Sequence, residues 1–451
     1  MTPTKTYSGY DVVVVGGGTA GVAAALSSAR QGLRVALLEK RISLTGTQAN
    51  AMVTPFMPSH VHGSDTADFL TQRYHDHMQG KGKLTLPGKM ELFSPESFKL
   101  LNEQVLTECG VEIFYDATLV AVDADNGNID AVTALIFDDF YRFEGANFVD
   151  ASGDAVLSRF AGATTVRGDT DGTRQSVSFR FEVTNIDFAR LREFLAESSY
   201  TFCDPTDTTF MEFVHVPGVA ACGRVLDVFA HGIDSGEITS EIARYVQGFS
   251  MPGKPNTLSF NNPQMPNLGN IEDPQILSEY VRYGRNMQHT LIAFLSRHIP
   301  GFEHAFISQE ANMLGVRESN RVMGKYIMTG DDYIARRKFD DGIARGDWYI
   351  DIHSDDLEVE GETFKKKYDK GEYYEIPYRS LVCDEIANLI FVGRIISCDF
   401  KMQSSIRIQH TCRDMGDAAG RACALAKELN MPLNAVDGTK LKTRVNEEGA
   451  N

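Results

Sequence analysis

Residues 10–40, YDVVVVGGGTAGVAAALSSARQGLRVALLEK, decide how the rest of the chain is read. Asp11 leads into four β-branched valines, 12–15, and residues 11–15 read as a short buried parallel strand. Gly16, Gly18 and Gly21 then follow the spacing G-x-G-x-x-G. The first glycine permits a tight turn. The second lets a pyrophosphate approach the backbone, and the third lets the next helix pack close to the strand. The spacing predicts that helix over about 20–31, with Ala23, Ala24 and Ala25 thinning its strand-facing side and Gly32 ending it. Its unpaired N–H groups favour a phosphate at the N-terminal end. Residues 33–38 read as the second strand. Glu39 follows Gly16 by 23 positions, close to the roughly 20 expected for a carboxylate that binds a ribose 2′-hydroxyl. An acid there disfavours the 2′-phosphate of NADP, and the fingerprint alone fits NAD or FAD.

Working outward, the second strand runs into an irregular loop, RISLTGTQANAMVTPFMPSH (41–60), long enough to lie along an extended ligand. NFVDASGD (147–154) is another apolar strand ending in small residues, Ala151, Ser152 and Gly153. NLIFVGR (388–394) is a third, closing at Gly393. Three small-residue strand ends suit a long dinucleotide crossing one sheet edge. The chain has neither a second G-x-G-x-x-G nor a C-x-x-C pair. A separate nicotinamide domain and a dithiol relay are therefore not expected.

Bulk properties exclude several classes. The net charge of −17 argues against nucleic acid and anionic membrane partners. Seven cysteines, at 109, 203, 222, 383, 398, 412 and 423, show no metal-ligand spacing and read as reduced thiols. The sequence shows no targeting segment and no apolar run able to span a bilayer, so a cytoplasmic location, no membrane partner and no metal are expected.

Several longer segments carry a resemblance: the N-terminal fingerprint, VDASGDAVLSRFAGA, RQSVSFRFEVTNID, NMLGVRESNRVMGKYIMTGDDY, DWYIDIHSDD, YEIPYRSLV, NLIFVGRIIS and SIRIQHTCRDMGDAAGRACALAKEL. Together they resemble the FAD-dependent oxidoreductases with a glutathione-reductase-type FAD domain, distant relatives of the fumarate reductase flavoprotein. The resemblance implies an α/β fold: a Rossmann-like FAD-binding domain with an inserted α+β substrate or cap domain. The pattern of the chain changes from about 168 to 375, so the expected divisions are 1–167 and 376–437 for the FAD domain, 168–375 for the insert, and a polar tail at 438–451. The resemblance also has a cofactor consequence. It implies FAD as cofactor, with Thr19, Ala20, Lys40, Gly46, Arg394, Ser405, Ile406 and Arg407 beside it, in addition to Gly16, Gly18, Gly21, Glu39, Ala151, Gly153 and Gly393. His60 and His62 match no attachment motif, so the FAD is expected to be non-covalent. The chain departs from the family pattern at a single Gly46 where a glycine pair is common, at CDFKMQS (398–404), and at His410 before Thr411.

The middle of the chain is less regular. QSVSFRFEV alternates like a half-exposed strand, and SMPGKPNTLSFNNPQMPNLGN is loop-like. Asp273 and Pro274 read as the cap and first residue of a long amphipathic helix ending before Pro300, with Ile276, Leu277, Tyr280, Val281, Leu291 and Leu295 on its apolar face. KKKYDKGE (365–372) reads as a solvated loop. Near the C-terminus Met415, Ala418, Ala419, Ala422, Ala426 and Leu429 recur at helical spacing, for a helix starting near His410 or Thr411.

Four segments offer catalytic side chains: Arg317, Glu318 and Arg321; Asp351 and His353; Tyr378 and Arg379; Gln403, Arg407 and His410. Arg317 beside Glu318 fits an ion pair as well as a site. The strongest candidates are His353, Arg317, Arg379 and His410, with His353 suited to proton transfer by its near-neutral pKa. The expected activity is hydride transfer between flavin N5 and a carbon of a small organic substrate, with an unidentified electron donor or acceptor. Alternatives are a fumarate-reductase-like reduction of an activated double bond, and a flavin-binding RNA-modification or assembly factor.

Overall fold

The computed structural model describes residues 2–448 apart from 62, 79–83, 86–90, 171, 173, 203, 205–206, 209 and 354–367. His62, Cys203, the lysines at 365–367 and the last three residues of the tail lie outside the described residues.

The four valines of the opening stretch are buried at the centre of a seven-stranded sheet. Their strand, Lys5–Val15, runs parallel to Val35–Leu38 on one side and to Asp139–Asp150 on the other. Leu389–Phe391 pairs in parallel with the end of that last strand. The register places Val15 beside Leu38 and Asp150, and Asp150 beside Phe391. Residues 16–21, 39–41, 151–154 and 392–394 therefore leave the same sheet edge side by side. Thr118–Asp125 and Asn128–Ile136 extend the sheet antiparallel.

The helix after the glycine turn is Thr19–Arg30. Its small residues face a second helix as well as the sheet. Helix Gln409–Leu429 crosses it so closely that a Cβ on Gly416 would lie 2.3 Å from the Ala20 carbonyl oxygen, and one on Gly420 2.5 Å from Ser27 Cβ. Ser27 Oγ donates to the Asp417 carbonyl at 2.9 Å, fixing the crossing. Leu429, expected on the apolar face, is exposed at the helix end.

Two hydrophobic cores organise the chain. One runs from Tyr10 to Ala163 and resumes from Val322 to Leu441; the other gathers residues from Val177 to Leu314, with Met52. The second core thus spans less of the chain than 168–375. The strands Gly342–Gly346 and Tyr374–Pro377 pair with each other and bury Ile343, Tyr374 and Ile376 in the first core, against the C-terminal helix.

The insert is α+β. Its antiparallel sheet has the order 212–215, 246–251, 254–260, 181–184, 306–310. Helix Pro274–His298 packs in its core, with the Asp273 carboxylate accepting from the Gln275 and Ile276 N–H groups. The buried stripe is Tyr280, Met287, Leu291 and Leu295 with Phe294, while Leu277 points to solvent. No helix among the described residues is long and apolar enough to cross a membrane.

Candidate active site

The glycines divide by what surrounds them. Gly16 has φ +101°, and a Cβ there would sit 2.5 Å from the Ala151 carbonyl oxygen. A Cβ on Gly21 would sit 1.9 Å from the Gly16 carbonyl oxygen, so this glycine serves turn packing and not the ligand directly. Gly18 is different. Its backbone is extended (φ −73°, ψ −171°), and a Cβ there would meet nothing nearer than Gly46 Cα at 4.0 Å. Gly18 borders open space at the start of a helix, the arrangement a pyrophosphate requires. Gly46, at φ +50°, crosses directly over it.

Glu39 is buried beside this turn. Its carboxylate accepts from the Gly17 N–H at 2.7 Å and the Arg41 N–H at 2.9 Å. Burial pushes its pKa up, and these two hydrogen bonds partly offset that. Asp154 leaves the neighbouring strand end and meets Arg394 Nη2 at 2.8 Å and Ser319 Oγ at 2.8 Å. Burial raises its pKa, but Arg394, Lys40 and Ser319 together hold it below the ordinary value.

A cavity of about 450 Å³ begins here. At one end it is lined by Gly16, Gly18, Thr19, Ala20, Glu39, Lys40, Gly46, Ala151, Gly153, Gly393 and Arg394. These residues fit a dinucleotide: donors at the helix start, a carboxylate for a ribose, and small residues wherever the backbone must come close. The far end is lined by Arg180, Arg317, Trp348, Asp351, His353 and Arg407, with Gln247, Phe249 and Asn261 from the insert.

Asp351 organises that end. It meets His353 Nε2 at 3.2 Å and Arg407 Nη2 at 3.2 Å, and its backbone carbonyl accepts from the same Arg407 at 2.9 Å. Burial raises the Asp351 pKa, but His353, Arg407 and Arg317 overwhelm it and keep the carboxylate ionised. His353 is pushed down by burial and by Arg317, against the pull of Asp351. The neutral ring then donates Nε2–H to Asp351 and keeps Nδ1 as an acceptor. Arg317 donates to the Ser176 carbonyl at 2.6 Å. Burial and the nearby Arg407 lower its pKa to about 10, which leaves it charged at neutral pH.

Of the four leading candidates, the fold brings Arg317 and His353 to this cavity and leaves two outside it. Arg379 is tied to Asp341 through Nε at 2.9 Å and Nη2 at 3.1 Å and lies across the Tyr326 ring. His410 sits over Phe56 with ring centroids 5.5 Å apart, while its neighbours Ile408 and Gln409 line the cavity. Two expected cofactor neighbours also stand behind the wall: Ile406 is core, and Ser405 Oγ donates to the Trp348 carbonyl at 2.6 Å. Glu318 is indeed an ion-pair residue, but with Arg321 at 2.6 Å. The 347–353 segment is irregular, and Asp351 meets His353 by direct contact.

Arg180, Trp348, Gln247 and Asn261 escaped the sequence reading. Arg180 lies in the alternating QSVSFRFEV segment in phase with Ser176, Ser178 and Glu182, the polar face of that pattern, so no local signal marked it. No group of three or more His, Cys, Asp or Glu residues among the described residues is placed to hold a metal.

Three solved structures align over most of the chain at low identity. A geranylgeranyl bacteriochlorophyll reductase-like protein from Thermoplasma acidophilum is 12% identical, covering 99% of this chain and 92% of its own, with a TM-score of 0.47. The flavin-dependent brominase Bmp2 is 13% identical over 98% and 83%, with a TM-score of 0.48. The p-nitrophenol 4-monooxygenase PnpA from Pseudomonas putida DLL-E4 is 15% identical over 72% and 70%, with a TM-score of 0.42. A search of curated proteins finds no match. The model of the FAD dependent oxidoreductase family matches residues 11–445, and the chain, with FAD as its cofactor, belongs to that family.

Proposed function

We propose that the protein transfers a hydride between FAD and a carbon of a small organic substrate held at the Arg317–His353 end of the cavity. One observation carries this reading: a single enclosure joins the glycine-lined groove to the Arg317, Asp351, His353 and Arg407 cluster. FAD, when bound, supplies a two-electron hydride acceptor or donor at N5. The N–H groups at the start of helix Thr19–Arg30 bind its pyrophosphate, and Glu39 binds a ribose hydroxyl. Arg317 polarises a substrate oxygen, and His353 Nδ1 takes or returns the accompanying proton. Asp351 fixes the His353 tautomer, and Arg407 fixes Asp351.

The cofactor is held non-covalently in this reading, and the electron partner is a diffusible molecule. The six described cysteines form no disulfide with one another, which supports a cytoplasmic setting in this reading. Three arginines against one carboxylate favour, as a second reading, the reduction of a double bond activated by an acidic group. The test is anaerobic mixing of the yellow protein with a metabolite panel that includes NADH and NADPH. Bleaching of the flavin by one class of metabolite supports hydride transfer. A flavin that no small molecule reduces or reoxidises contradicts it and points to a binding role.

A further inference from the structure

The unpartnered polar atoms of the cavity are all of one kind. Five buried nitrogens on residues lining it have no hydrogen-bond partner among the described residues: Nε and Nη2 of Arg180, Nε of Arg407, Nε1 of Trp348 and Nε of Arg41. Each is a donor, and no unpartnered buried acceptor lines the same cavity among those residues. Arg41 adjoins Glu39 at the nucleotide end, where FAD brings its own acceptors. Arg180 does not.

Arg180 enters strand Phe181–Thr184 of the insert and is 2% exposed. Its Nη1 donates to Asn261 Oδ1 at 2.7 Å. Of the N–H bonds on the two unpartnered nitrogens, Nε–H and one Nη2–H lie parallel along one edge of the guanidinium. That edge matches the two oxygens of a carboxylate. Glu182, two residues on, is bound to Lys254 at 2.6 Å instead. A buried guanidinium edge without an acceptor is costly, so its presence points to a ligand.

The surrounding charge agrees. Arg180 and Arg407 both act on Arg317; Asp351 faces Arg317 and Arg407, while the carboxylate that acts on Arg180 is Glu182, which Lys254 offsets. His353 is neutral, and the Tyr245 phenol beside Arg180 is held protonated, chiefly by burial. The pocket therefore carries excess positive charge before substrate enters.

We propose that the substrate of this cavity bears a carboxylate, and that Arg180 is the specificity-determining residue, binding both carboxylate oxygens through Nε and Nη2. This rests on the hydride-transfer reading above and names its substrate class.

The test is calorimetric titration of the FAD-loaded protein and of Arg180→Lys and Arg180→Met with acetate, benzoate and succinate, each against its neutral amide. Trp348 lines the cavity and is the single tryptophan, so its fluorescence gives an independent readout of occupancy. At least one carboxylate should bind the native protein at least tenfold more tightly than its amide. Arg180→Met should weaken that binding roughly ten- to hundredfold, as expected for losing a charge-assisted pair. Arg180→Lys keeps the charge without the fork and should fall between. Both variants should keep their FAD. If Arg180→Met fails to fold, the lysine variant decides alone. The proposal is overturned if no carboxylate binds, if both variants bind as tightly as the native protein, or if Arg180→Lys loses FAD, which would put Arg180 on the cofactor. A protein that binds carboxylates in this pattern but whose flavin no metabolite bleaches would overturn the hydride-transfer reading alone.

Discussion

Gly18→Val separates the fold from the cofactor. Gly18 has a backbone conformation open to any residue, and a Cβ there meets nothing nearer than 4.0 Å. The apoprotein should therefore fold with a stability change within about 1 kcal/mol, since losing a flexible glycine in the unfolded chain contributes about 0.4–1 kcal/mol in its favour. The isopropyl group instead occupies the space in front of the helix start. Displacing a pyrophosphate from two backbone N–H donors removes about 1.5–3 kcal/mol each. FAD affinity should fall at least a hundredfold, about 2.7 kcal/mol. Gly16→Ala is the contrast: φ +101° and a 2.5 Å approach to the Ala151 carbonyl make it a folding defect. Denaturant unfolding of the apoproteins and flavin fluorescence quenching on reconstitution measure the two quantities separately. A folded Gly18→Val protein with full FAD occupancy would refute the reasoning.

Other expectations follow from the same geometry. Acid precipitation should leave all the flavin in solution as FAD, and fluorescence retained in the pellet would show a covalent bond. His353→Gln should lower kcat with little change in KM and remove the acidic limb of the pH–rate profile; an unchanged profile would leave His353 with no proton to move. Arg379→Met should keep turnover within about twofold of native, because Arg379 is engaged by Asp341 outside the cavity. Burial pushes the Asp414 carboxyl from 3.8 up to about 7. The folded state then holds this proton more tightly than the unfolded chain. Its stabilising effect is full below about pH 4 and is lost as pH rises through about 7, by at most about 4 kcal/mol. Asp414→Asn should flatten that part of the stability–pH curve, and an unchanged slope in urea unfolding would count against the buried acid.

The cofactor end was legible in the sequence because its determinants are local. Glycine spacing, β-branched runs and an acid at a fixed offset depend on neighbours within a few tens of residues. The parallel register did the rest, setting Val15, Asp150 and Phe391 side by side. The substrate end was legible only in part. Asp351 and His353 are two apart and could be read together, but Arg180 gains its role from Asn261, 81 positions away. Arg379 looked catalytic because its partner Asp341, 38 positions upstream, carries no local mark. The two cores divide the chain differently from its composition for a related reason. Composition changes near residue 168, whereas Val322–Ile352 return to the first core through strand pairing that no local pattern announces.

In the proposed reading one cavity holds FAD with its nucleotide end at the glycine turn and its reactive end at the arginine–histidine cluster. A crystal structure of the FAD-loaded protein tests it most directly. Pyrophosphate density is expected against the backbone between Gly16 and Ala20, with the isoalloxazine ring bordered by Arg317, His353 and Arg407. A ring lying outside that cluster, or a reversed nucleotide with adenine among those three residues, would contradict it.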